Sequence, residues 1–207
     1  KGKQAVCGQK GFLTETCDKD NKTQFLTDTA VTSATTADVK ELPGIQKRLE
    51  DGKMKPKEHY SDAGFVNGQT IVDSHDRGIV LEGPSSGRSQ SFENYQAGDR
   101  PLDTADFEVR VDEKNKAVSV LACPEKQAPI DHVRSEKTGK TLVHFDAWVC
   151  RKCKVNTRCP VKIGAGVATL TIDGASYAGA ARHHQYMEDT DYRKRCAIRA
   201  GVVGETR

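Results

Sequence analysis

The sequence contains no run of about 18 consecutive apolar residues, the length that a transmembrane helix needs. Its first residues, KGKQAVCGQKG, also lack the apolar stretch of a signal peptide. There is no phosphate-binding G-x-x-x-x-G-K-[ST] loop, and no grouping of Ser, His and Asp or of Cys and His stands out as a nucleophilic site. We therefore expect a cytoplasmic protein without a membrane contact, a P-loop or the common hydrolase machinery.

The chain has little excess charge of either sign. Its formal net charge is +3 over 207 residues, which by itself says little about partners. The charge is unevenly placed, however, because the segment RKCKVNTRCPVK carries five cations and no acid. This segment is a local basic patch, and its cations are Arg151, Lys152, Lys154, Arg158 and Lys162.

Seven cysteines cannot all pair in disulfides within one chain. Three of them form a C-x2-C-x5-C pattern, and a fourth lies upstream in ACPEK; the four are Cys123, Cys150, Cys153 and Cys159. A C-x2-C pair places two thiolates on one turn, and two further sulfurs complete a tetrahedral Zn²⁺ site. The spacing favours zinc, and the alternative is a set of unpaired cytosolic thiols. Cys7, Cys17 and Cys196 are interpreted as small buried apolar residues.

The first half of the chain has a mixed α/β pattern. Residues 11–17 and 25–31 predict a β-hairpin around the polar turn DKDNKT. A helix is predicted over GIQKRLEDG, and Asn67 is predicted to cap a second helix over GQTIVDSHDRG. The run IVLEGP then reads as a short buried strand.

The second half of the sequence has a different pattern of apolar residues. Residues 105–172 predict a β-rich insertion, because FEVRV, AVSVLA, LVHFDAW and VATLTI all suit short strands. From Ser176 to about Ile198 the composition predicts one long helix, with a break near Asp189 to Asp191. His183 and His184 are predicted to be surface residues, since neighbouring positions on a helix diverge by about 100°.

Asp62, in the segment SDAGFV, has two interpretations. Its side-chain oxygen can bond a backbone N–H two residues on and so shape an Asx turn. Alternatively, Asp62 ends a strand with Gly64 behind it and projects into an open cleft, where a carboxylate can hold a divalent cation.

Several segments, taken in order, resemble bacterial insertion-sequence transposases of the DDE type. They are the strand GQKGFLTET, the segment TSATTAD, the turn SDAGFV, the Cys-Pro and C-x2-C-x5-C insertion, and the terminal IRAGVVGE. The resemblance covers nearly the whole chain. It implies DNA cleavage and strand transfer in the transposition of an insertion sequence, which is a form of DNA recombination.

The resemblance implies an α/β fold of the ribonuclease-H-like type, with a mixed sheet, flanking helices and a zinc-ribbon-like insertion. The implied domains are a partial core over residues 1–104, the cysteine insertion over 105–172, and a helix of the core over 173–207. In the family, two Asp and one Glu hold two Mg²⁺ or Mn²⁺ ions beside the DNA phosphodiester. Asp62 matches the second Asp, and the implied cofactors are these ions together with Zn²⁺ at the cysteines.

The final motif departs from the Tyr-x2-Arg-x3-Glu pattern of the family. CAIRAGVV places Cys196 at the Tyr position, Arg199 at the Arg position and Val203 at the Glu position. Glu205 follows two residues later, about 200° further around a helix. A second register uses Tyr192 and Arg195, and then Arg199 occupies the Glu position. The first Asp is expected on a strand before Lys1, both ends look like cuts through a longer protein, and we expect this chain to be inactive or nearly so.

The expected partner is DNA, at the element ends and the target, with self-association open and no small-molecule substrate. Arg195 and Arg199 are candidate phosphate contacts, although nearby acids also suit a solvated helix face. Localisation would be cytoplasmic, with the bacterial nucleoid. Two other functions remain: a non-catalytic DNA-binding remnant and a zinc-stabilised interaction module.

Overall fold

The structure of the chain is a computed structural model. It describes residues 7–18, 20–86, 95, 100–112 and 117–204, with side chains described as far as residue 197. The contacts divide the chain into two compact units. The first unit comprises Lys1–Ser86 together with Asp189–Arg207, and the second comprises Gly87–Glu188. The predicted insertion, 105–172, falls inside the second unit.

The first unit begins with the predicted hairpin, which the structure confirms. Strand β1 (Gln9–Glu15) pairs antiparallel with β2 (Leu26–Ser33). Alternation of apolar and polar residues gives such a ribbon one apolar face. Here much of the apolar surface is exposed, at Leu13, Phe25, Leu26 and Val31.

Two helices and a pair of parallel strands follow the hairpin. A 3₁₀ turn (Asp38–Lys40) leads into helix α1 (Leu42–Asp51), which starts with Pro43 in its first turn and ends at Gly52, as the sequence predicts. Strands β3 and β4 are parallel, and helix α2 connects them. Asn67 caps α2 and forms a capping box with Thr70, which confirms the predicted cap. The bounds are Glu58–Tyr60 for β3, Gly68–Asp76 for α2 and Val80–Glu82 for β4.

The core of the first unit is small. Leu42, Val66 and Leu81 are buried together, and Phe65 and Ile71 pack against them. A buried hydrogen bond of 2.7 Å from Gln46 to Ser74 joins α1 to α2. Because the buried amide and hydroxyl groups are hydrogen-bonded to each other, their burial does not cost the desolvation energy of an unpaired polar group.

The second unit contains most of the strands. Strands β5 and β6 form an antiparallel hairpin, and β7, β8, β10 and β9 form a four-stranded antiparallel sheet in that order. The strand bounds are Glu108–Val111, Val118–Ala122, Asp131–Arg134, Thr141–Asp146, Lys162–Ile163 and Val167–Ile172, for β5 to β10 in chain order. Alternate residues point inward and build one core, which includes Phe107, Val120, Val143, Phe145 and Leu170.

Helical elements complete the second unit. Helix α3 (Ala147–Lys152) directly follows β8, and Asp146 caps it through the backbone N–H groups of Trp148 and Val149. A 3₁₀ turn (Asn156–Arg158) leads to β9, and another (Thr104–Asp106) precedes β5. Helix α4 (Gly174–Glu188) closes the unit.

The last helix returns to the first unit. Helix α5 (Thr190–Gly204) starts after a break at Asp189, whose carboxylate accepts the N–H of Tyr192 at 2.9 Å. The predicted break between two helical segments is therefore confirmed. The described residues contain five α-helices and four small sheets, a mixed α/β arrangement. Within these residues we find no helix with the length and apolar character required to cross a lipid bilayer.

Candidate functional site

Asp62 lies just beyond β3, in an exposed turn of the first unit. Its Oδ1 accepts the backbone N–H of Gly64 at 2.7 Å, so the Asx turn that the sequence allows is formed. The backbone carbonyl of Asp62 also accepts the N–H of Phe65, at 3.2 Å. The turn therefore fixes the Asp62 carboxylate while leaving the residue exposed, an arrangement that is compatible with either interpretation of the sequence.

A second carboxylate lies beside the Asp62 turn. A methyl group added at Gly64 would lie 2.8 Å from Oδ2 of Asp38 and 3.0 Å from Oδ1 of Asp62. Both oxygens thus border the small space that Gly64 leaves by having no side chain. Asp38 begins the 3₁₀ turn before α1, and no local signal in the sequence pairs it with Asp62.

The strand β1 supplies a cation and an aromatic ring to the same place. The ammonium group of Lys10 forms an ion pair with Oδ1 of Asp38, and Phe12 packs edge-on against Phe65 with ring centres 5.4 Å apart. Lys10 therefore balances part of the negative charge, and the aromatic pair holds the DAGF turn against the hairpin. Three of the segments that carry the resemblance, GQKGFLTET, TSATTAD and SDAGFV, converge here.

The carboxyl ends of β3 and β4 lie side by side because the strands are parallel. The N–H of Ser61 donates to the carbonyl of Glu82 at 2.9 Å. Gly83 follows with φ of +136°, and a Cβ there would lie 2.0 Å from the carbonyl oxygen of Ser61. Only glycine fits both this backbone conformation and this close approach.

Helix α5 is tied to the same strand ends. The hydroxyl of Tyr192, a fully buried residue, accepts the N–H of Gly83 at 3.0 Å and lies 2.8 Å from Oε2 of Glu82, to which it donates. Cys196, one turn later, is also buried. Arg195 is exposed, with its guanidinium 5.6 Å from the Tyr192 ring. The side chains of Arg199 and Val203, and all of Glu205, lie outside the described residues, so their assigned roles stay predictions.

The four clustered cysteines surround one cavity in the second unit. Cys123 follows β6, Cys150 lies in α3, and Cys153 and Cys159 flank the 3₁₀ turn before β9. All four line a cavity of about 30 Å³, and none of the four is in a disulfide. A space of this size holds one or two water-sized groups. The fold thus brings Cys150, Cys153 and Cys159 to the same cavity as Cys123, which precedes them by 27 or more positions. Their role as Zn²⁺ ligands stays a prediction.

The electrostatics of this cavity disfavour bare thiolates. Burial raises the pKa of the Cys150 thiol, and the nearby Cys159, Cys123 and Cys153 raise it further. Burial likewise raises the pKa of Cys159, although a hydrogen bond from the Val161 backbone opposes this. The backbone N–H of Gln127 points to the Cys123 sulfur at 3.4 Å. An N–H donor of this kind stabilises negative charge on sulfur. Burial and the neighbouring cysteines oppose that charge, so the thiolate forms of Cys150 and Cys159 are favoured only when a cation binds beside them.

Within the described residues, one group of three potential metal ligands has all its donor atoms within 4.8 Å of one another, and it does not contain the cysteines. It comprises Asp103, Asp106 and His184. Both oxygens of Asp106 already accept hydrogen bonds from Arg100, at 2.8 and 2.5 Å, and Nε2 of His184 lies 3.3 Å from Asp103. We interpret this group as an ion-pair network that joins the 3₁₀ turn to α4.

The prediction that His183 and His184 are surface residues was wrong. His183 is buried, and the side chain of His184 is 13% exposed. Both rings pack edge-on against Tyr95, with centroids 5.8 and 5.6 Å away. The prediction that Cys7 is buried was also wrong, because Cys7 is exposed and Cys17 is half-buried. Cys7 lies just before β1, in a two-stranded ribbon whose apolar side chains Leu13 and Val31 are also exposed.

The basic segment of the second unit is exposed, but its cations differ in what they contact. Arg151 donates to the carbonyls of Gly164 and Ala165, at 2.5 and 2.9 Å, and Lys154 pairs with Glu125 at 3.2 Å. The ammonium group of Lys152 lies 4.0 Å from the ring centre of Trp148. Lys162 is exposed on β9, and Arg158 is half-buried. The sequence showed the positive charge but not these contacts.

We compared the chain with family models, with curated proteins and with solved structures. No family model, curated protein or solved structure matches it. The function of the chain is therefore inferred from the geometry described above and from the motifs that carry the resemblance.

Proposed function

We propose that this chain is a catalytic-domain segment of a DDE transposase of the insertion-sequence type. The observation that carries the proposal is the convergence of Lys10, Asp38 and Asp62 around Gly64. Each of the three residues comes from a segment that resembles the family, and the segments are distant in the sequence. If each segment resembled the family only by chance, there would be no reason for the three segments to contact one another in the fold.

The finer fold assignment belongs to the same proposal. An antiparallel hairpin, a pair of parallel strands, a helix between those strands and a final helix at their carboxyl ends are all elements that a ribonuclease-H-like core contains. Ligand sites in open α/β sheets lie at the carboxyl ends of the strands, where Asp62 is found. The β-rich second unit would then be the zinc-ribbon-like insertion.

The residues around Gly64 suit a hard divalent cation. Mg²⁺ and Mn²⁺ take oxygen ligands, and carboxylates supply them. Asp38 and Asp62 present oxygens to one small open space, while Lys10 limits the repulsion between the two acids. When bound, such cations activate a water or a 3′-hydroxyl and stabilise the leaving oxygen at a phosphodiester. Asp62 would hold the cation, Asp38 would support it, and Tyr192 would position helix α5 at the strand ends.

The first test of the proposal is Mn²⁺ binding, followed by electron paramagnetic resonance. We expect Asp62→Asn to lower the Mn²⁺ affinity at least about tenfold. Mutation of a residue that only supports a metal ligand typically lowers metal affinity about 10- to 100-fold, and loss of the ligand itself should cost no less. Asp73→Asn is the matched control, since Asp73 is an exposed carboxylate on α2 of the same unit. Equal Mn²⁺ affinities for the parent and the Asp62→Asn chain would reject the proposed cation site.

The chain is proposed to be nearly inactive in DNA cleavage, because Val203 occupies the family's Glu position and cannot bind Mg²⁺. Nicking of cognate element ends by this chain, lost in Asp62→Ala, would contradict the inactivity while supporting the family assignment. Nicking that persists in Asp62→Ala would indicate a contaminating nuclease and would lend the proposal no support.

A second prediction concerns the space at Gly64. Gly64→Ala should lower Mn²⁺ affinity because the added methyl group would displace the carboxylates of Asp38 and Asp62. The free energy of unfolding should change by no more than about 1 kcal/mol, since both neighbours are terminal oxygens of partly or fully exposed side chains, which can turn aside into solvent. Gly11→Ala is the control, because its added methyl would meet only the Ala30 carbonyl, at an ordinary 3.9 Å. Unchanged Mn²⁺ affinity in a folded Gly64→Ala protein would argue against a shared site.

The cysteine cavity supports a proposed Zn²⁺ site in the same protein. Four cysteines line one cavity, and Zn²⁺ would draw their sulfurs together as the four thiolate ligands of a closed structural site. Zinc would hold Cys123, Cys150, Cys153 and Cys159 together and so brace the turn that carries the basic segment. The ion would have a structural role and would take no part in the cleavage of DNA.

DNA binding without catalysis is the second candidate function. The observation that favours it is the exposed set of cations on α3 and β9, of which Lys152 and Lys162 contact no acid that the structure describes. Binding to phosphates releases counterions, so the affinity for DNA should fall as salt rises. An absence of salt-sensitive DNA binding would leave the zinc-stabilised interaction module as the better explanation.

A further inference from the structure

The chain has one tryptophan, and the protein leaves it on the surface. Trp148 is 63% exposed, although an indole ring is among the largest apolar groups that a fold can bury. The backbone that carries it is nevertheless fixed, because Asp146 accepts the backbone N–H groups of Trp148 and Val149 at 2.7 and 3.2 Å. An exposed aromatic residue on a short capped helix offers a flat surface for another ring.

Positive charge accompanies this ring. The Lys152 ammonium lies 4.0 Å from the ring centre, as in a cation–π contact. Lys162 is exposed on β9, the strand that leads into the turn beside α3. The neighbouring carboxylates are already engaged, since Asp146 caps α3 and Glu125 pairs with Lys154. The partner most complementary to this surface has both an aromatic face and negative charge.

Helix α3 is held firmly against the neighbouring turn. The guanidinium of Arg151 donates to the carbonyls of Gly164 and Ala165, and the side chain of Asn156 donates to the Arg151 carbonyl at 2.9 Å. Cys150 and Cys153 anchor the helix at the cysteine cavity. A ligand therefore meets a preorganised helix, and little entropy is lost in ordering the backbone that carries the ring.

We propose that Trp148 stacks on an unpaired base of single-stranded DNA, with Lys152 and Lys162 binding the adjoining phosphates. In a duplex the faces of the bases are hidden in the stack, whereas an unpaired base can lie on an aromatic side chain beside a cationic groove. The inference rests on the proposed function and deepens it, because it names the form of DNA that the second unit binds. Arg151 is a positioning residue for the platform.

The test uses the whole chain and a labelled oligo-dT of about 12 nucleotides, within the range that such binding sites cover. Because Trp148 is the only indole, its fluorescence should be quenched by the oligo-dT and much less by a duplex of equal length and salt. Trp148→Ala should weaken oligo-dT binding about 5- to 150-fold, the contribution of one stacked base, and should hardly change duplex binding. Trp148→Phe should retain most of the affinity.

Charge-reversal variants test the phosphate contacts. Lys152→Glu should weaken binding to oligo-dT and make it less dependent on salt, because fewer counterions are released. Lys137→Glu is the matched control, since Lys137 is an exposed lysine in the turn before β8, at the end of that strand opposite to α3. Equal losses in the two variants would show a diffuse charge effect and would overturn the assignment of Lys152.

Several outcomes would overturn the stacking itself. They are unchanged oligo-dT affinity in a folded Trp148→Ala protein, equal quenching by duplex, or no quenching by any DNA. Burial of Trp148 in a second copy of the chain, seen as a concentration-dependent shift of its emission with a dimer in sedimentation, would do the same. The cation site is tested separately, by Mn²⁺ affinity in the absence of DNA, so the two proposals can fail independently.

Discussion

Protein purified without a chelator should contain one Zn²⁺ per chain, and Cys150→Ser should lose both the metal and the folded second unit. The reason is the scale of the energies. A structural Zn²⁺ contributes roughly 10–16 kcal/mol of apparent binding free energy in small zinc modules, whereas whole domains are stable by only about 5–15 kcal/mol. Loss of one of four ligands therefore removes a large share of the stability of the second unit.

Metal content by mass spectrometry and thermal unfolding by circular dichroism measure the two effects. Cys7→Ser is the control, because Cys7 is exposed and lies outside the cavity, and this variant should keep its zinc and its melting temperature. Less than stoichiometric zinc in the parent protein, with all four thiols titrating freely, would reject the zinc site.

A bound Zn²⁺ would also explain how buried sulfurs can be charged. Without a cation, burial and neighbouring cysteines raise the pKa of the Cys150 thiol, so the protonated form is favoured. A bound Zn²⁺ reverses this preference, because its charge stabilises thiolates more than burial opposes them. Zinc must then compete with protons, and acid should release it.

The first unit should lose about 3 kcal/mol of stability as the pH falls from about 6.5 to about 4. His59 on β3 is 8% exposed, its Nδ1 has no hydrogen-bond partner among the described residues, and burial lowers its pKa from 6.5 to about 4. The unfolded chain therefore binds a proton below about pH 6.5 while folded His59 stays neutral, and each pKa unit of difference costs about 1.4 kcal/mol. Above about pH 6.5 His59 is neutral in both the folded and the unfolded chain, so the first unit keeps its full stability there.

His59→Phe should flatten this dependence, because a phenyl ring of similar size takes up no proton. Urea unfolding at a series of pH values measures it. His75→Gln is the control, since the His75 side chain is 73% exposed and should not alter the slope between pH 4 and 6.5. A parent and a His59→Phe protein with equal pH slopes would contradict the prediction.

The elements that local rules define could be predicted from the sequence. The two hairpins, the Asn67 cap, the helix that ends at Gly52 and the break at Asp189 each follow from side chains within a few residues of one another. The gathering of the cysteines was also predictable, since C-x2-C patterns have few other uses.

The contacts that decide function could not be predicted in the same way. Asp38 meets Asp62 only because the hairpin, the 3₁₀ turn and β3 pack together, and no periodicity encodes that packing. Likewise, the basic segment shows five cations, but only the fold shows that Arg151 bonds carbonyls and that Lys154 has an acidic partner. His183 is buried because Tyr95 and α4 enclose it, which a helical wheel alone does not reveal.

The order in which the chain is synthesised matters for the hydrogen bonds of Tyr192. The residues of the second unit are contiguous, whereas the first unit takes helix α5 from beyond them, and Tyr192 follows Glu82 by 110 positions. Domains generally fold as units while translation proceeds from the N-terminus. The first unit can therefore be completed only after the whole second unit has been synthesised, and until then Glu82 and Gly83 lack the Tyr192 hydroxyl as a partner.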